Sequence, residues 1–285
     1  MDWPTLLANR PLPLIMGILN VTPDSFSDGG EFFSPELAVE RGLRIARDGA
    51  GILDIGGEST RPPRYGPAEE VPVSEEIRRV LPVIERLAGK IGIPISIDTR
   101  KAEVARAALK AGAAILNDVT ALRHDPAMAA VVAEAGAGVI LMHMRGTDPA
   151  TMQSNLEYGD LVGEVRGFLA DSRVRAAAAG ISPDRIAIDP GLGFSKSAAQ
   201  SLALLREIPA LLDLGSPVVV GASRKNFVGA YSARPGASSA ESRLPGSLAC
   251  AGFAARRGAA VVRVHDVAET AAYLAMSRSL DTMPP

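Results

Sequence analysis

Polar residues with acid, base or anion-binding chemistry recur in this sequence at one repeated place, the end of a short apolar run. They are Asn20, Asp54, Asp98, Asn117 with Asp118, His143, Asp189, Ser223-Arg224-Lys225, and Arg263 with His265. Sorted by charge they fall into two sets. Arg61, Lys225, Arg263 and His265 are cationic or can become so. Arg263 and His265 are two apart on one extended run and so face the same way. With Arg61 they could grip a phosphate-type anion through charge-assisted hydrogen bonds. The alternative for Arg263 is a structural ion pair. The second set is Asp98, Asn117 and Asp189. Buried carboxylates cost several kcal/mol unless paired or hydrogen-bonded. A ligand rich in N–H donors, such as a 2-amino-pyrimidinone edge, would satisfy them; so would simple pairing of one or two of them with Lys225 or Arg263.

Smaller signals surround these two sets. The chain has 5 lysines against 25 arginines, so a retained Lys225 suggests a role for a compact ammonium. A helix is expected to begin at Ser223-Arg224-Lys225-Asn226, where exposed N–H groups and the positive dipole end could hold a carboxylate or phosphate. Gly191-Leu192-Gly193-Phe194-Ser195-Lys196, after Asp189-Pro190, reads as a loop allowing close approach, without the spacing of a P-loop. His124, His143 and His265 make no H-x-x-x-H pair, which argues against zinc. Magnesium needs few protein ligands, and Asn20 could supply one oxygen.

The elements that must position these groups can be read from periodicity. Apolar, β-branched runs predict eight strands, at 14–20, 51–55, 93–98, 113–118, 137–143, 185–189, 217–222 and 259–265. Their near-continuous apolarity suits a parallel sheet buried on both faces. Helices are expected at 35–48, opened by Ser34-Pro35; at 75–88, capped by Ser74; at 127–135, after Asp125-Pro126; and at 160–179 and 245–257. A last helix, capped by Asp266, is expected to run to about residue 279. Eight β-then-α units predict a (β/α)8 TIM barrel, an α/β fold, as one domain over residues 1–285 with its core at about 14–280. The competing architecture is an open doubly wound sheet, which the missing G-x-G-x-x-G fingerprint disfavours in its dinucleotide-binding form. A barrel gathers all the polar strand ends into one mouth. Two long loops, 21–33 and 56–73, would border that mouth and exclude water.

Composition narrows the function classes. Of 285 residues 47% are hydrophobic and 22% charged, with a net charge of −2, so neither a disordered chain nor a basic nucleic-acid binder is indicated. The single cysteine, Cys250, excludes an intramolecular disulfide and suits a reducing compartment. No secretory signal and no apolar run of ~18 residues is visible, so a soluble cytoplasmic protein without membrane contact is expected.

Read together, the segments resemble the dihydropteroate synthase family. The first signature is Met16-Gly17-Ile18-Leu19-Asn20-Val21-Thr22-Pro23-Asp24-Ser25-Phe26-Ser27-Asp28-Gly29-Gly30. The second is Asp54-Ile55-Gly56-Gly57-Glu58-Ser59-Thr60-Arg61-Pro62. Ser96-Ile97-Asp98-Thr99, Leu116-Asn117-Asp118, Leu141-Met142-His143-Met144, Asp189-Pro190-Gly191-Leu192-Gly193-Phe194, Ser223-Arg224-Lys225 and Arg263-Val264-His265-Asp266 follow in the family's order. The resemblance implies a transferase of folate biosynthesis, of the kind sulfonamides target. It would condense 6-hydroxymethyl-7,8-dihydropterin diphosphate with 4-aminobenzoate, giving 7,8-dihydropteroate and diphosphate. It implies Asp98, Asn117, Asp189 and Lys225 at the pterin, and Asn20, Arg61, Arg263 and His265 at the diphosphate. Thr60, Pro62, Phe194 and Asn226 would border the aminobenzoate, and Asn20 would help place Mg²⁺. Asp98, Arg61 and Lys225 would carry the chemistry, in a homodimer. Ser195 and Pro63 stand where the family often has Gly, and Asn226 where it often has Ser. The alternatives are a pterin-binding methyltetrahydrofolate:corrinoid methyltransferase domain and a non-catalytic pterin-binding paralogue.

Overall fold

A computed structural model describes residues 3–7, 12–22, 34–58, 70–148, 153, 155–231, 239 and 241–282. The eight strands are β1 (Leu14–Asn20), β2 (Ile52–Gly56), β3 (Ile95–Asp98), β4 (Ile115–Asp118), β5 (Gly138–Met142), β6 (Ile186–Asp189), β7 (Val219–Val220) and β8 (Val261–Val264). All pairs are parallel, in the order β6-β5-β4-β3-β2-β1-β8-β7. A parallel bridge between Ile188 and Val218 joins the two ends. The expected barrel is therefore the fold, and the open sheet is not. The expected strand at 217–222 shrinks to two ladder residues, because the chain turns off the sheet to form the Ser223–Lys225 corner.

The helices of the described chain are α1 (Trp3–Leu7), α2 (Pro35–Arg47), α3 (Val73–Leu87), α4 (Ala102–Lys110), α5 (Met128–Ala135), α6 (Leu161–Ala178), α7 (Ala198–Arg206), α8 (Ile208–Leu212), α9 (Asn226–Ala230), α10 (Leu244–Arg256) and α11 (Val267–Thr282). No described helix is long and apolar enough to cross a membrane. Ser34 and Asp160 cap α2 and α6 through the N–H groups of Leu37 and Gly163, as their types predict. Ser74 does not cap α3: that helix starts at Val73, two residues earlier than expected, with Pro72 at the cap position and no side-chain bond there. Asp266 accepts the Thr270 N–H through its main-chain oxygen, while its carboxylate holds Arg224, so it caps α11 by position only. Asp125 accepts from Ala127 N at 2.9 Å and also from Ala102 N at 2.8 Å, so one carboxylate serves the approach to α5 and the first turn of α4.

Strand alternation divides the core in two. Ile15, Leu19, Leu53, Ile55, Ile97, Leu116, Val139, Leu141, Ile188 and Val262 face outward and pack on the helices. Met16, Ile52, Ile115, Ile140, Ala187, Val219 and Val261 face inward and fill the lower barrel, sealed beneath by Trp3 and Leu6 of α1. Gly17 has a packing reason: a Cβ there would lie 2.3 Å from Ile45 of α2. One layer above the apolar filling, the inward positions turn polar.

Candidate active site in the barrel mouth

The register places Asp54 beside Ser96, and Asp98 beside both Gly56 and Asn117. Period-two alternation then brings Asp54, Ser96, Asp98, Asn117, Asp189 and Arg263 to the inner wall above the apolar layer. Arg263 reaches across this wall. Its Nε donates to Asp54 Oδ2 at 2.6 Å and its Nη2 to Asp98 Oδ2 at 2.7 Å. Asn117 Nδ2 donates to the same Asp54 oxygen at 3.2 Å. Burial works against the Arg263 charge, but the two carboxylates outweigh it and hold the guanidinium above its ordinary range. Burial pushes the Asp98 carboxyl up to about 7, against the pull of Arg263 and with the push of Asp54. Asp54, fully enclosed, retains an Oδ1 with no hydrogen-bond partner among the described residues, as does Ser96 Oγ. Such groups cost about 1–3 kcal/mol each while they stay unmet. The wall therefore presents acceptors in want of donors.

On the opposite side, Asp189 Oδ1 accepts from Gly191 N at 2.6 Å, and burial raises its carboxyl while Lys225 opposes the rise. Lys225 donates to Leu192 O at 2.7 Å, and its ammonium lies 4.6 Å from the centre of the Phe194 ring. Burial lowers Lys225 to about 8, with Asp189 pulling the other way. Phe194 packs with Val119, Met142 and Met144 at the edge of the mouth. Five of the expected pterin and aminobenzoate residues, Asp98, Asn117, Asp189, Lys225 and Phe194, thus converge on one rim.

The other expected residues divide. His265 Nδ1 and N both meet Ser223 Oγ, at 3.1 and 3.2 Å, at the β8 end of the mouth. Arg224, with φ of 59°, turns away to Asp266 and is not part of the anion set. Asn226 opens α9 as expected, but its Oδ1 accepts from Arg243 Nη1 at 3.0 Å. Asp118 turns from the mouth to accept from Thr120 N, Thr120 Oγ1 and Leu122 N. His143 faces the helices, its ring edge-on to Phe168 at 4.8 Å. Asn20 ends β1, half-buried, at the mouth. Thr60, Arg61, Pro62 and Pro63 lie outside the described residues, as do most of both long loops.

Three features escaped the sequence reading. Asp54 is the hub of the wall, although in the sequence it is one more polar strand end; its position two residues before Gly56, on the inner face, is the available signal. Lys196, buried, bonds His143 behind the mouth. Lys101, also buried, joins Glu58, Glu76 and Val71 O at 2.7, 2.7 and 2.6 Å below the second long loop. No periodic signal marks a lysine inside such a cluster.

A divalent cation was expected with Asn20 as a ligand. Among the described residues no group of three His, Cys, Asp or Glu side chains could cage a metal. This donor set suits an ion held chiefly by substrate phosphate oxygens and water, with one neutral protein oxygen from Asn20.

Comparison with known proteins gives the family and the fold. The family model described as pterin binding enzyme matches residues 16–265. The dihydropteroate synthase of Synechocystis is 47% identical over 89% of this chain and 85% of its own length. A Xanthomonas albilineans dihydropteroate synthase solved with 4-aminobenzoic acid is 48% identical, with a TM-score of 0.87 over 96% of this chain and 95% of that one. The same organism's enzyme in complex with 7,8-dihydropteroate superposes with a TM-score of 0.84 at 46% identity, over 96% of this chain and 95% of that one.

Proposed function

The chain belongs to the pterin-binding enzymes and, among them, to the dihydropteroate synthases, and from that premise we propose that its barrel mouth joins a dihydropterin methyl diphosphate to 4-aminobenzoate. The carrying observation is the acceptor-rich wall. Asp54 keeps an unmet buried oxygen, and Asp98 and Asp189 are buried carboxylates held above their ordinary range. A pterin edge, with its adjacent N–H donors, supplies what Asp98, Asn117 and Asp189 lack, and Lys225 faces the ring's acceptors. Binding the edge would repay the desolvation of these groups, which an apolar ligand could not do.

The substrate's pyrophosphate arm then points to the rim. His265, Arg61 and the third guanidinium nitrogen of Arg263 are the groups proposed to receive it, with Asn20 at the Mg²⁺ that accompanies the diphosphate. That ion would neutralise leaving-group charge. The bond between the pterin methylene carbon and the diphosphate oxygen breaks first, and the electron pair leaves with the diphosphate. The methylene carbon becomes cationic, stabilised by the Asp98 carboxylate. The aminobenzoate amine donates its lone pair to that carbon, forming the C–N bond, and gives up a proton to water. Thr60, Pro62 and Phe194 would border the aminobenzoate ring, and the N–H groups at the start of α9 would meet its carboxylate. Because Asn226 is engaged by Arg243, its main-chain N–H rather than its amide would make that contact.

Asp98→Asn tests the assignment. Turnover falls more than about 100-fold while the melting temperature stays near that of the parent. A folded Asp98→Asn protein with near-normal turnover would remove Asp98 from the reaction. The working unit is proposed to be a homodimer, and sedimentation at twice the chain mass checks it.

A further inference from the structure

One buried ionisable pair takes no part in the proposed reaction. Lys196, 3% exposed, extends its Nζ to Phe194 O at 2.8 Å, to His143 Nδ1 at 2.8 Å and to His143 O at 3.4 Å. Among the described residues it makes no ion pair at contact distance with a carboxylate and bonds these three acceptors, with Asp189 acting on its charge from further away. Burial pulls Lys196 down to about 7, with Asp189 opposing the fall; in its ammonium form it has only donors, so His143 then accepts through Nδ1 and carries its proton on Nε2. Burial and the Lys196 charge push His143 down to about 2, which keeps the ring neutral as this bond requires.

Burying a cation against neutral acceptors is costly, and the gain lies in what they hold. His143 follows β5 and is fixed by the ladder bond from its N–H to Asp189 O at 2.9 Å. Phe194 belongs to the loop after β6. The ammonium therefore ties that loop to the sheet just behind the mouth. The same loop supplies Leu192 O to Lys225 and sets the Phe194 ring 4.6 Å from the Lys225 ammonium. Gly191 closes the fit: at φ of 68°, a Cβ there would lie 2.0 Å from His143 O. We propose that Lys196 is a positioning residue that, through His143, fixes the Phe194 ring where aminobenzoate is received, while Lys225 keeps its place at the pterin beside Asp189. The kinetic part of this proposal rests on the reaction assigned above; the geometric part does not.

The test uses the full chain, Lys196→Met, His143→Leu and His143→Asn. An asparagine oxygen can stand near the place of Nδ1 and still accept from Lys196. In Lys196→Met and His143→Leu the KM for 4-aminobenzoate rises at least about tenfold, while kcat and the Kd for a pterin ligand without diphosphate change far less. His143→Asn stays near the parent. With 5 lysines in the chain, NMR of ¹³C-lysine-labelled protein reads the geometry without turnover. The Lys225 ε-protons, beside the Phe194 ring, are ring-current shifted in the parent and in His143→Asn, and lose that shift in Lys196→Met and His143→Leu. A retained shift in folded Lys196→Met overturns the inference, as does an unchanged aminobenzoate KM or an equal loss of all three parameters. A parent protein that shows the shift but makes no dihydropteroate would contradict the proposed reaction and leave the positioning role standing.

Discussion

Ionisation at the mouth sets when the residues can act. The proposed reaction needs Asp98 as a carboxylate and Lys225 as an ammonium. With Asp98 pushed up to about 7 and Lys225 brought down to about 8, kcat/KM in the unliganded range should rise to about pH 7 and fall above about pH 8. Lys225→Met removes the alkaline limb and Asp98→Asn the acid limb; limbs that persist in these variants would assign the ionisations elsewhere. Ser195 is a second case at this scale. It stands at φ of 51°, a conformation that favours glycine, yet its Oγ accepts from Arg145 N at 3.0 Å and donates to Arg145 O at 3.4 Å. The departure from Gly is thus compensated locally. Ser195→Ala keeps the backbone cost and loses both bonds, for about 1–2 kcal/mol in urea unfolding, whereas Ser195→Gly loses the bonds but relieves the backbone and costs less. Equal losses in the two variants would show that the backbone conformation is unstrained.

Element by element, the barrel is built from strands whose outer face belongs to the helices and whose inner face belongs first to an apolar filling and then to the wall of acceptors. This was legible in the sequence because the runs of Ile, Val and Leu are nearly continuous and almost every one has a polar residue at or just past its end. Boundaries were less legible where tertiary contacts outrank local preference. Ser74 is a good cap by type, yet α3 begins at Val73 because Pro72 fixes the entry of the chain. Asp266 is likewise a good cap by type, but Arg224, at the corner after the neighbouring strand β7, competes for its carboxylate. Asp125 shows the converse, a local signal that turned out to serve a neighbour. Asp125→Ala removes acceptors from the approaches to two helices and should cost about 1–2 kcal/mol, read as a lower urea midpoint with unchanged slope. A loss no larger than that of an exposed Asp→Ala change would mean that water replaces the carboxylate at both sites.

Across the whole molecule, the two ends of the barrel divide labour. The lower end is closed by Trp3, whose ring lies so near β5 that a Cβ on Gly138 would meet it at 2.7 Å. Trp3→Ala should cost about 3–5 kcal/mol of stability with KM values unchanged, and an altered KM would show that the ends are coupled. The upper end buries two polar atoms, Asp54 Oδ1 and Ser96 Oγ, that have no partner among the described residues, and a donor-rich ligand is proposed to offset that cost. The type of residue at each strand end was readable from sequence, and so was the alternative that Arg263 pairs with a carboxylate, as it does with Asp98; that Asp54 shares the same guanidinium was not, because the three meet only once the barrel closes. The most direct measurement is diphosphate release by the purified protein given Mg²⁺, the dihydropterin diphosphate and 4-aminobenzoate, with omission of the aminobenzoate and addition of EDTA as separate arms. Release that needs both, matched mole for mole by 7,8-dihydropteroate, is the predicted result. Pterin binding without release, or release indifferent to aminobenzoate, would contradict the account.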